Sequence, residues 1–303
     1  MISSPGDHNV LEVGERPRPA AAEGDVVIRM RAATVNPTDL LFRARGTADY
    51  PPPWTPGTEI AGTVESAGTR TSFRTGERVF AIVNPWRPEG GAQAELVVVP
   101  AASVARTPEN VTDVEAATVP MNGLTVSQAL RRLNLPGGAT LGVIGAAGAV
   151  GQYAVQLGVA AGLRVIADAK PEDEDLVRGF GAHEVVPRSD NPAAAFRAMA
   201  PGGVDGLVDA AVIDEAALGA IRDGGALATV RLWDGPTDRD IRIEPVWVQS
   251  DNRNTQALEE LAEHLRTGRL TTRVGATFPL DKVQEAHRRL DAGGVRGRIV
   301  LTA

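Results

Sequence analysis

Hydrophobic residues follow two rhythms along this chain, and the change falls near residue 118. Before it, apolar positions recur at every second residue in short runs. Residues 26–32 alternate in the manner of a half-buried strand, and 62–65, 79–83 and 93–99 read as further strands between Gly and Pro turns. The Pro- and Gly-dense stretch 51–57 reads as a loop. After residue 118, apolar runs at 140–145, 163–168, 184–186, 206–210 and 226–230 alternate with helical segments such as 171–179 and 214–221. That pattern predicts a doubly wound parallel sheet. Residues 241–248 read as a sixth, edge strand. The tail holds two helices, at 258–266 and 281–290, with Asp281 as N-cap of the second. A strand at 297–301 closes the chain. Strands that reappear after an α/β block predict a return to the first domain.

The sharpest signal is the run Val143-Ile144-Gly145-Ala146-Ala147-Gly148-Ala149-Val150-Gly151. It links a strand at 140–144 to a helix-forming stretch at 152–161, and a second strand follows at 163–167. Such a turn brings a phosphate to the backbone N–H groups of a helix N-terminus. Gly145 suits the tight turn, Gly148 has no Cβ to block a pyrophosphate, and Gly151 permits close helix–strand packing. Ala147 stands where the second glycine is usual. With a strand before and a helix after, the run points to a dinucleotide site; the alternative is a plain tight turn.

Composition removes several classes. The 303 residues suffice for two domains with sizeable cores. Net charge is −7, with no basic block or basic–aromatic patch, which argues against a nucleic-acid partner. No apolar run reaches the ~18 residues of a membrane span. Residues 1–9 lack the charged and apolar regions of a signal peptide, so the cytoplasm is the expected compartment. The absence of cysteine excludes disulfides, thiolate nucleophiles and cysteine-ligated zinc. His8, His183, His264 and His287 are scattered, so no metal is expected.

Several short motifs recur together: Val35-Asn36-Pro37-Thr38-Asp39, Pro56-Gly57-Thr58-Glu59-Ile60-Ala61-Gly62, Thr75-Gly76-Glu77-Arg78-Val79 and Asn122-Gly123-Leu124-Thr125. Gly181-Ala182, Asp205-Gly206-Leu207-Val208-Asp209 and Gly294-Val295-Arg296-Gly297-Arg298-Ile299-Val300-Leu301 complete the set. With the glycine turn, they resemble the medium-chain dehydrogenase/reductase superfamily, and most of all its zinc-independent quinone oxidoreductase branch. The resemblance runs from about Leu11 to the C-terminus. It implies an α/β chain with a GroES-like β-rich catalytic domain, residues 1–117 and 259–303. A Rossmann domain with a doubly wound parallel sheet would span 118–258. Zinc-dependent members carry Cys where this chain has Asn36, and a His-Glu pair where it has Thr58-Glu59. Their four-cysteine loop is missing between Gly91 and Gln93. The resemblance therefore implies a zinc-independent, NADPH-dependent oxidoreductase that transfers a hydride to a conjugated carbonyl acceptor such as a quinone. Without a Lewis acid, hydrogen-bond donors must hold the developing oxyanion. An enoyl reductase on an acyl or polyketide-type substrate is one alternative. A non-catalytic NADPH-binding sensor or structural protein is another. Relatives pair the edge strand across a two-fold axis, which implies a homodimer through 241–248.

Residue roles follow from the same alignment. The acid that selects NAD falls on Ala169, whereas Asp168 lies one residue earlier, where strand alternation points it the other way. Lys170 and Arg188 then favour NADPH; a slip of one residue would make Asp168 the ribose ligand and reverse the choice. The expected cofactor residues are thus Gly145, Ala147, Gly148, Ala149 and Val150 at the turn, with Asp168, Ala169, Lys170 and Arg188 at the adenosine end. The resemblance adds Thr125, Ala210, Ala211, Val230, Arg231 and Arg298. Its implied catalytic residues are Asn36, donating to a substrate oxygen, Thr125, beside the nicotinamide carboxamide, and Tyr50, a proton donor or pocket wall. Asp39 reads as a helix cap. Asn36, Tyr50, Trp54, Trp86 and Trp233 make up the expected substrate pocket, whose flat rings suit a planar acceptor.

Overall fold

β1 (Asp25–Val35) is the hub of the first sheet, pairing antiparallel with three other strands. It belongs to a computed structural model that describes residues 1–236 and 238–303. Val26, Ile28 and Met30 of β1 enter one apolar core, as the alternation from residue 26 predicts. α1 (Pro37–Arg45) begins at Pro37, whose missing N–H costs nothing in a first helical turn. The carboxylate of Asp39 accepts from Asn36 N at 2.7 Å and from Gly57 N at 3.0 Å. Gly57 sits at φ 111°, and a Cβ there would lie 2.6 Å from Gln93 N. β2 (Glu59–Ala67), β3 (Arg78–Ile82), β4 (Leu96–Pro100) and β5 (Val104–Arg106) extend the sheet. α2 (Asp113–Ala116), capped by Thr112, leads into α3 (Pro120–Leu133).

The alternating block then builds a six-stranded parallel sheet. Its elements are β6 (Thr140–Ile144), α4 (Ala149–Ala160), β7 (Arg164–Ala169), α5 (Glu174–Gly179), β8 (Glu184–Pro187), α6 (Pro192–Met199), β9 (Val204–Asp209), β10 (Ile221–Thr229) and β11 (Arg242–Pro245). The strand order is β11-β10-β9-β6-β7-β8. The order reverses beside β6, and open α/β sheets bind ligands at the carboxyl ends of strands at such a point. The expected edge strand at 241–248 is shorter, ending at Pro245, with a 3-10 turn at Val248–Asp251.

α7 (Thr255–Arg266), β12 (Val274–Pro279), α8 (Val283–Asp291) and β13 (Arg298–Thr302) complete the chain. β13 pairs with β1, and β12 runs parallel to β13. The chain divides into two compact units, Met1–Met121 with Asn252–Ala303, and Asn122–Asp251. The second crossing falls at 252 rather than 259. Ser103 Oγ donates to Asn252 O at 2.6 Å and Thr255 Oγ1 to Ala102 O at 3.1 Å, which ties the start of α7 to the first unit. At the N-terminus, Ile2 forms isolated bridges with Trp54 and Leu11 and is fully buried.

Candidate active site

The glycine run folds as a turn stripped of side chains on its outer face. Gly145 takes φ 83°, and a Cβ on it would lie 2.9 Å from the Ala210–Ala211 peptide. A Cβ on Gly151 would lie 2.1 Å from Gly145 O, so α4 rests directly on the turn. A Cβ on Gly148 would meet only Gly145 O, at 3.2 Å. Gly148 caps α4 without a side-chain bond. The first-turn amides of Ala149 and Val150 have no intrahelical acceptor, and Ala147 lies half-buried just before them. Backbone donors, a helix dipole and open space fit a pyrophosphate.

At the end of β7, the buried Asp168 faces this turn. Its Oδ1 accepts from Gly145 N at 2.7 Å and Ala146 N at 3.1 Å. Arg188 closes over it, with Nε 2.9 Å from Oδ2 and Nη2 3.3 Å from Oδ1. Bonding to Asp168 raises the Arg188 pKa. Ala169 is buried and Lys170 exposed. A cavity of about 320 Å³ opens here, lined by Ile144, Asp168, Arg188, Phe196, Ala211 and Ile213 among others. The loop after β9 is held by Asp209, whose carboxylate accepts from the amides of Ala211, Ile213 and Asp214. Within it Val212 takes φ 58°, a conformation that a β-branched residue rarely adopts. After β10, Val230 is half-buried and Arg231 exposed. Thr125 is buried on α3. One turn earlier lies Asn122, whose Nδ2 is a buried donor with no partner. Sequence reasoning named Asn122 and Asp209 within motifs but gave neither a role. An acid ending an apolar strand was the available signal for Asp209; the Asn122 motif did not show that its amide would be left without a partner.

In the first unit, Asn36 is buried in a polar cluster. Its Nδ2 donates to Thr34 Oγ1 at 2.9 Å, Thr58 Oγ1 at 2.9 Å and Glu59 Oε1 at 3.0 Å. Its Oδ1 accepts from Arg298 Nη2 at 2.7 Å. Arg298, expected at the cofactor, thus lies against Asn36 and pairs with the fully buried Glu59. Amide, hydroxyls and a single carboxylate are poor ligands for zinc, and a guanidinium among them repels a dication, so these residues do not fit a metal. Among the described residues, no group of three His, Cys, Asp or Glu side chains could hold one.

Of the expected pocket residues, Tyr50, Trp54 and Trp86 pack in one apolar cluster of the first unit. Tyr50 donates its hydroxyl to Pro85 O at 2.7 Å, and burial raises its pKa. Trp54 is a core residue in a cluster with Ile2, Leu11 and Phe42, and its Nε1 donates to Tyr50 O at 3.0 Å. Trp86 stands edge-on to Phe42, ring centres 5.3 Å apart. Trp233 belongs to the other unit, where its carbonyl accepts from Thr229 Oγ1.

Comparison with known proteins finds one family match inside the first unit and one that runs from the second unit back into the first. Residues 22–109 match the alcohol dehydrogenase GroES-like domain, and 180–301 match the zinc-binding dehydrogenase family. A probable mitochondrial zinc-binding oxidoreductase of Arthroderma benhamiae is 28% identical over 96% of this chain and 92% of its own. A chloroplastic quinone-oxidoreductase homolog of Spinacia oleracea is 28% identical, over 98% and 95%. A mycobacterial protein solved in complex with NADPH superposes with a TM-score of 0.84 at 26% identity, over 100% and 98% of the two chains. No helix among the described residues is long and apolar enough to cross a membrane. The chain is an α/β oxidoreductase, with a GroES-like domain and a Rossmann-like parallel sheet. It belongs to the medium-chain dehydrogenase/reductase superfamily, in its quinone oxidoreductase branch.

Proposed function

We propose that this chain is a zinc-independent, NADPH-dependent reductase that passes a hydride to a conjugated carbonyl acceptor such as a quinone. One observation carries the reading. The chain keeps an open dinucleotide turn, yet the residues standing where metal ligands would be form a closed Asn–Thr–Glu–Arg cluster. The NADPH complex of the mycobacterial neighbour and the name of the spinach relative support the cofactor and the acceptor class.

NADPH, when bound, supplies the hydride. The amides of Ala149 and Val150 hold its pyrophosphate, with Gly148 leaving the approach clear. The charge of Asp168 is offset by the backbone amides and by Arg188, so Arg188 and Lys170 remain to meet a 2′-phosphate. The unpartnered amide of Asn122 and the hydroxyl of Thr125 lie one turn apart on α3, a spacing that suits a carboxamide. Asn36 acts through Arg298: its Oδ1 fixes the guanidinium, while its own N–H groups are engaged. We further propose that a second copy of the chain docks on the edge at 241–248.

Screening NADPH consumption against quinones, enones and enoyl thioesters, with elemental analysis of the same preparation, tests the reading. Quinone or enone turnover without stoichiometric zinc is expected. Turnover of enoyl thioesters alone moves the substrate class, whereas tight NADPH binding without any turnover overturns the reading. A zinc equivalent required for activity overturns metal independence.

A further inference from the structure

β9 ends at Asp209 in the middle of the parallel sheet, between β6 and β10. In the register of β6 and β9 it stands beside Ile144, the last residue before the glycine turn. Asp209 is 1% exposed. Among the described residues no arginine or lysine pairs with it, and its bonds go to the loop that follows. Oδ1 accepts from Ala211 N at 3.1 Å, and Oδ2 from Ile213 N and Asp214 N, both at 2.8 Å. Val212 and Asp214 take φ 58° and 53°, with Ile213 between them at −98°. Such alternation turns successive N–H groups toward one point, a concavity that takes an anion. Here the anion is the chain's own carboxylate. Without a cation, a buried carboxylate depends on such donors. The same bonds keep Val212 in a conformation that a β-branched residue disfavours.

The loop bears on the nucleotide site in two places. Ala210 N donates to Ile144 O at 2.9 Å, and the Ala210–Ala211 peptide occupies the space that a Cβ on Gly145 would take. Ala211 and Ile213 wall the cavity that Asp168, Arg188 and Phe196 also line. Release of the loop would therefore open the cavity and loosen the glycine turn together. We propose that Asp209 is a positioning residue for the dinucleotide, holding the 210–214 loop in place before the cofactor arrives. This inference rests on the dinucleotide reading of the turn. A loop that must be ordered on binding costs affinity, and a loop ordered beforehand does not. Residues 210–214 include no cation to meet a 2′-phosphate. The effect of Asp209 should therefore fall equally on NADPH and NADH, unlike that of Arg188.

The test uses the full chain, the variant Asp209→Asn, and Asp209→Asn combined with Val212→Gly. An asparagine keeps one acceptor oxygen but turns its NH₂ toward N–H groups. Melting curves establish that both variants are folded. Amide exchange of the cofactor-free chain reads the loop. In the wild type, the amides of Ile213 and Asp214 should exchange at least about a hundredfold slower than in an unstructured peptide. In Asp209→Asn they should exchange at least about tenfold faster than in the wild type. Titration reads the site. NADPH, NADH and adenosine 2′,5′-bisphosphate should each bind Asp209→Asn about tenfold more weakly, with the NADPH-to-NADH ratio within about twofold of wild type. Glycine adopts a positive φ without penalty, so Val212→Gly in the Asn background should recover at least about threefold of that affinity. No recovery would assign the loss to general loosening and overturn the positioning role. Unprotected loop amides in the wild type overturn the proposal without any variant. So does an Asn variant that binds all three ligands as the wild type does, or one that loses NADPH alone. A wild type that binds none of the three overturns the dinucleotide reading, and the proposal falls with it.

Discussion

Asp168 serves two neighbours with one carboxylate. It accepts from the amides of Gly145 and Ala146, which pins the glycine turn, and it pairs with Arg188. A carboxylate so engaged repels a 2′-phosphate less than a bare one would. The Arg188 side chain remains 37% exposed and has further N–H groups to offer. Arg188→Ala should weaken NADPH binding at least about tenfold, since a charge-assisted hydrogen bond is worth roughly 1.5–3 kcal/mol. NADH should change by less than about twofold, because it has no phosphate at that position. Titrating both cofactors against both proteins decides; equal losses would reduce Arg188 to a support for Asp168. Two other buried residues set the pH response. His287 Nδ1 lies 3.3 Å from Arg43 Nη1, which can only donate, so the ring donates through Nε2 to Gln93 Oε1 at 3.0 Å. Burial, then the Arg43 charge, push its pKa down to about 3, against a weaker upward pull from Asp291. The unfolded ring titrates near 6.5, so its contribution is fully present above pH 6.5. It is lost as pH falls toward 3, on the order of 4 kcal/mol over the whole range. Asp39 behaves in the opposite sense. Burial raises its carboxyl to about 7, so the fold holds the proton and loses stability as pH rises from about 4 to 7. Urea titrations at several pH values should show the gap between wild type and His287→Gln shrinking below pH 6.5. The gap to Asp39→Asn should shrink between pH 4 and 7. Flat differences would contradict both assignments.

At the scale of elements, the contact between α4 and the turn depends on two glycines that fail in different ways. A Cβ on Gly151 would strike Gly145 O at 2.1 Å and Ala146 Cα at 2.6 Å, both backbone, so no rotamer relieves it. Gly151→Ala should cost about 1–3 kcal/mol of stability and lift α4 off the turn. Gly148→Ala meets one carbonyl at 3.2 Å and otherwise projects into the open face. It should leave the melting temperature nearly unchanged while weakening NADPH at least about tenfold. If Gly148→Ala binds NADPH as wild type does, the pyrophosphate does not lie there. This turn was legible from sequence because strand, turn and helix are contiguous and each glycine has a local reason. β12 was not. Its residues are mostly exposed, and its pairing is supplied by β13. The short β5 likewise depends on β3 and on α7 packed against it. The direction of Asp168 needed the true register of β7, in which it pairs with Val186. The polar cluster was hidden for a different reason. Asn36 and Arg298 are 262 residues apart, and only the β1–β13 pairing brings them together. Local pattern could name each residue but not the bond between them.

For the whole molecule, the open question of assembly turns on one sheet edge. β11 hydrogen-bonds to β10 on one side, and no described strand covers the other. Unpaired edges invite pairing with another chain unless they are short, charged or covered. β11 has some of that protection: it is four residues long, ends in Pro245, and carries an Arg242–Glu244 ion pair. Such a strand alone would be a safe monomer edge. Two residues beyond it, however, Trp247 is 50% exposed. Its backbone N is fixed by Gln128 Oε1 at 2.8 Å, so the ring is presented from an anchored position. A large ring held at an open edge stabilises a second copy far more than it stabilises a solvated chain, since burying an aromatic side chain is worth roughly 1.5–3 kcal/mol. Symmetric pairing would count that gain twice. Light scattering at about 10 μM should therefore give twice the 31.7 kDa chain mass. Trp247→Glu should shift the population toward the single chain without lowering the melting temperature of the separated units. A wild-type monomer at that concentration would show that the short, charged, Pro-ended strand wins over the exposed ring. The same outcome in which Trp247→Glu instead loses stability would mean that the ring packs within its own chain. A dimer indifferent to Trp247→Glu would place the contact on some other face.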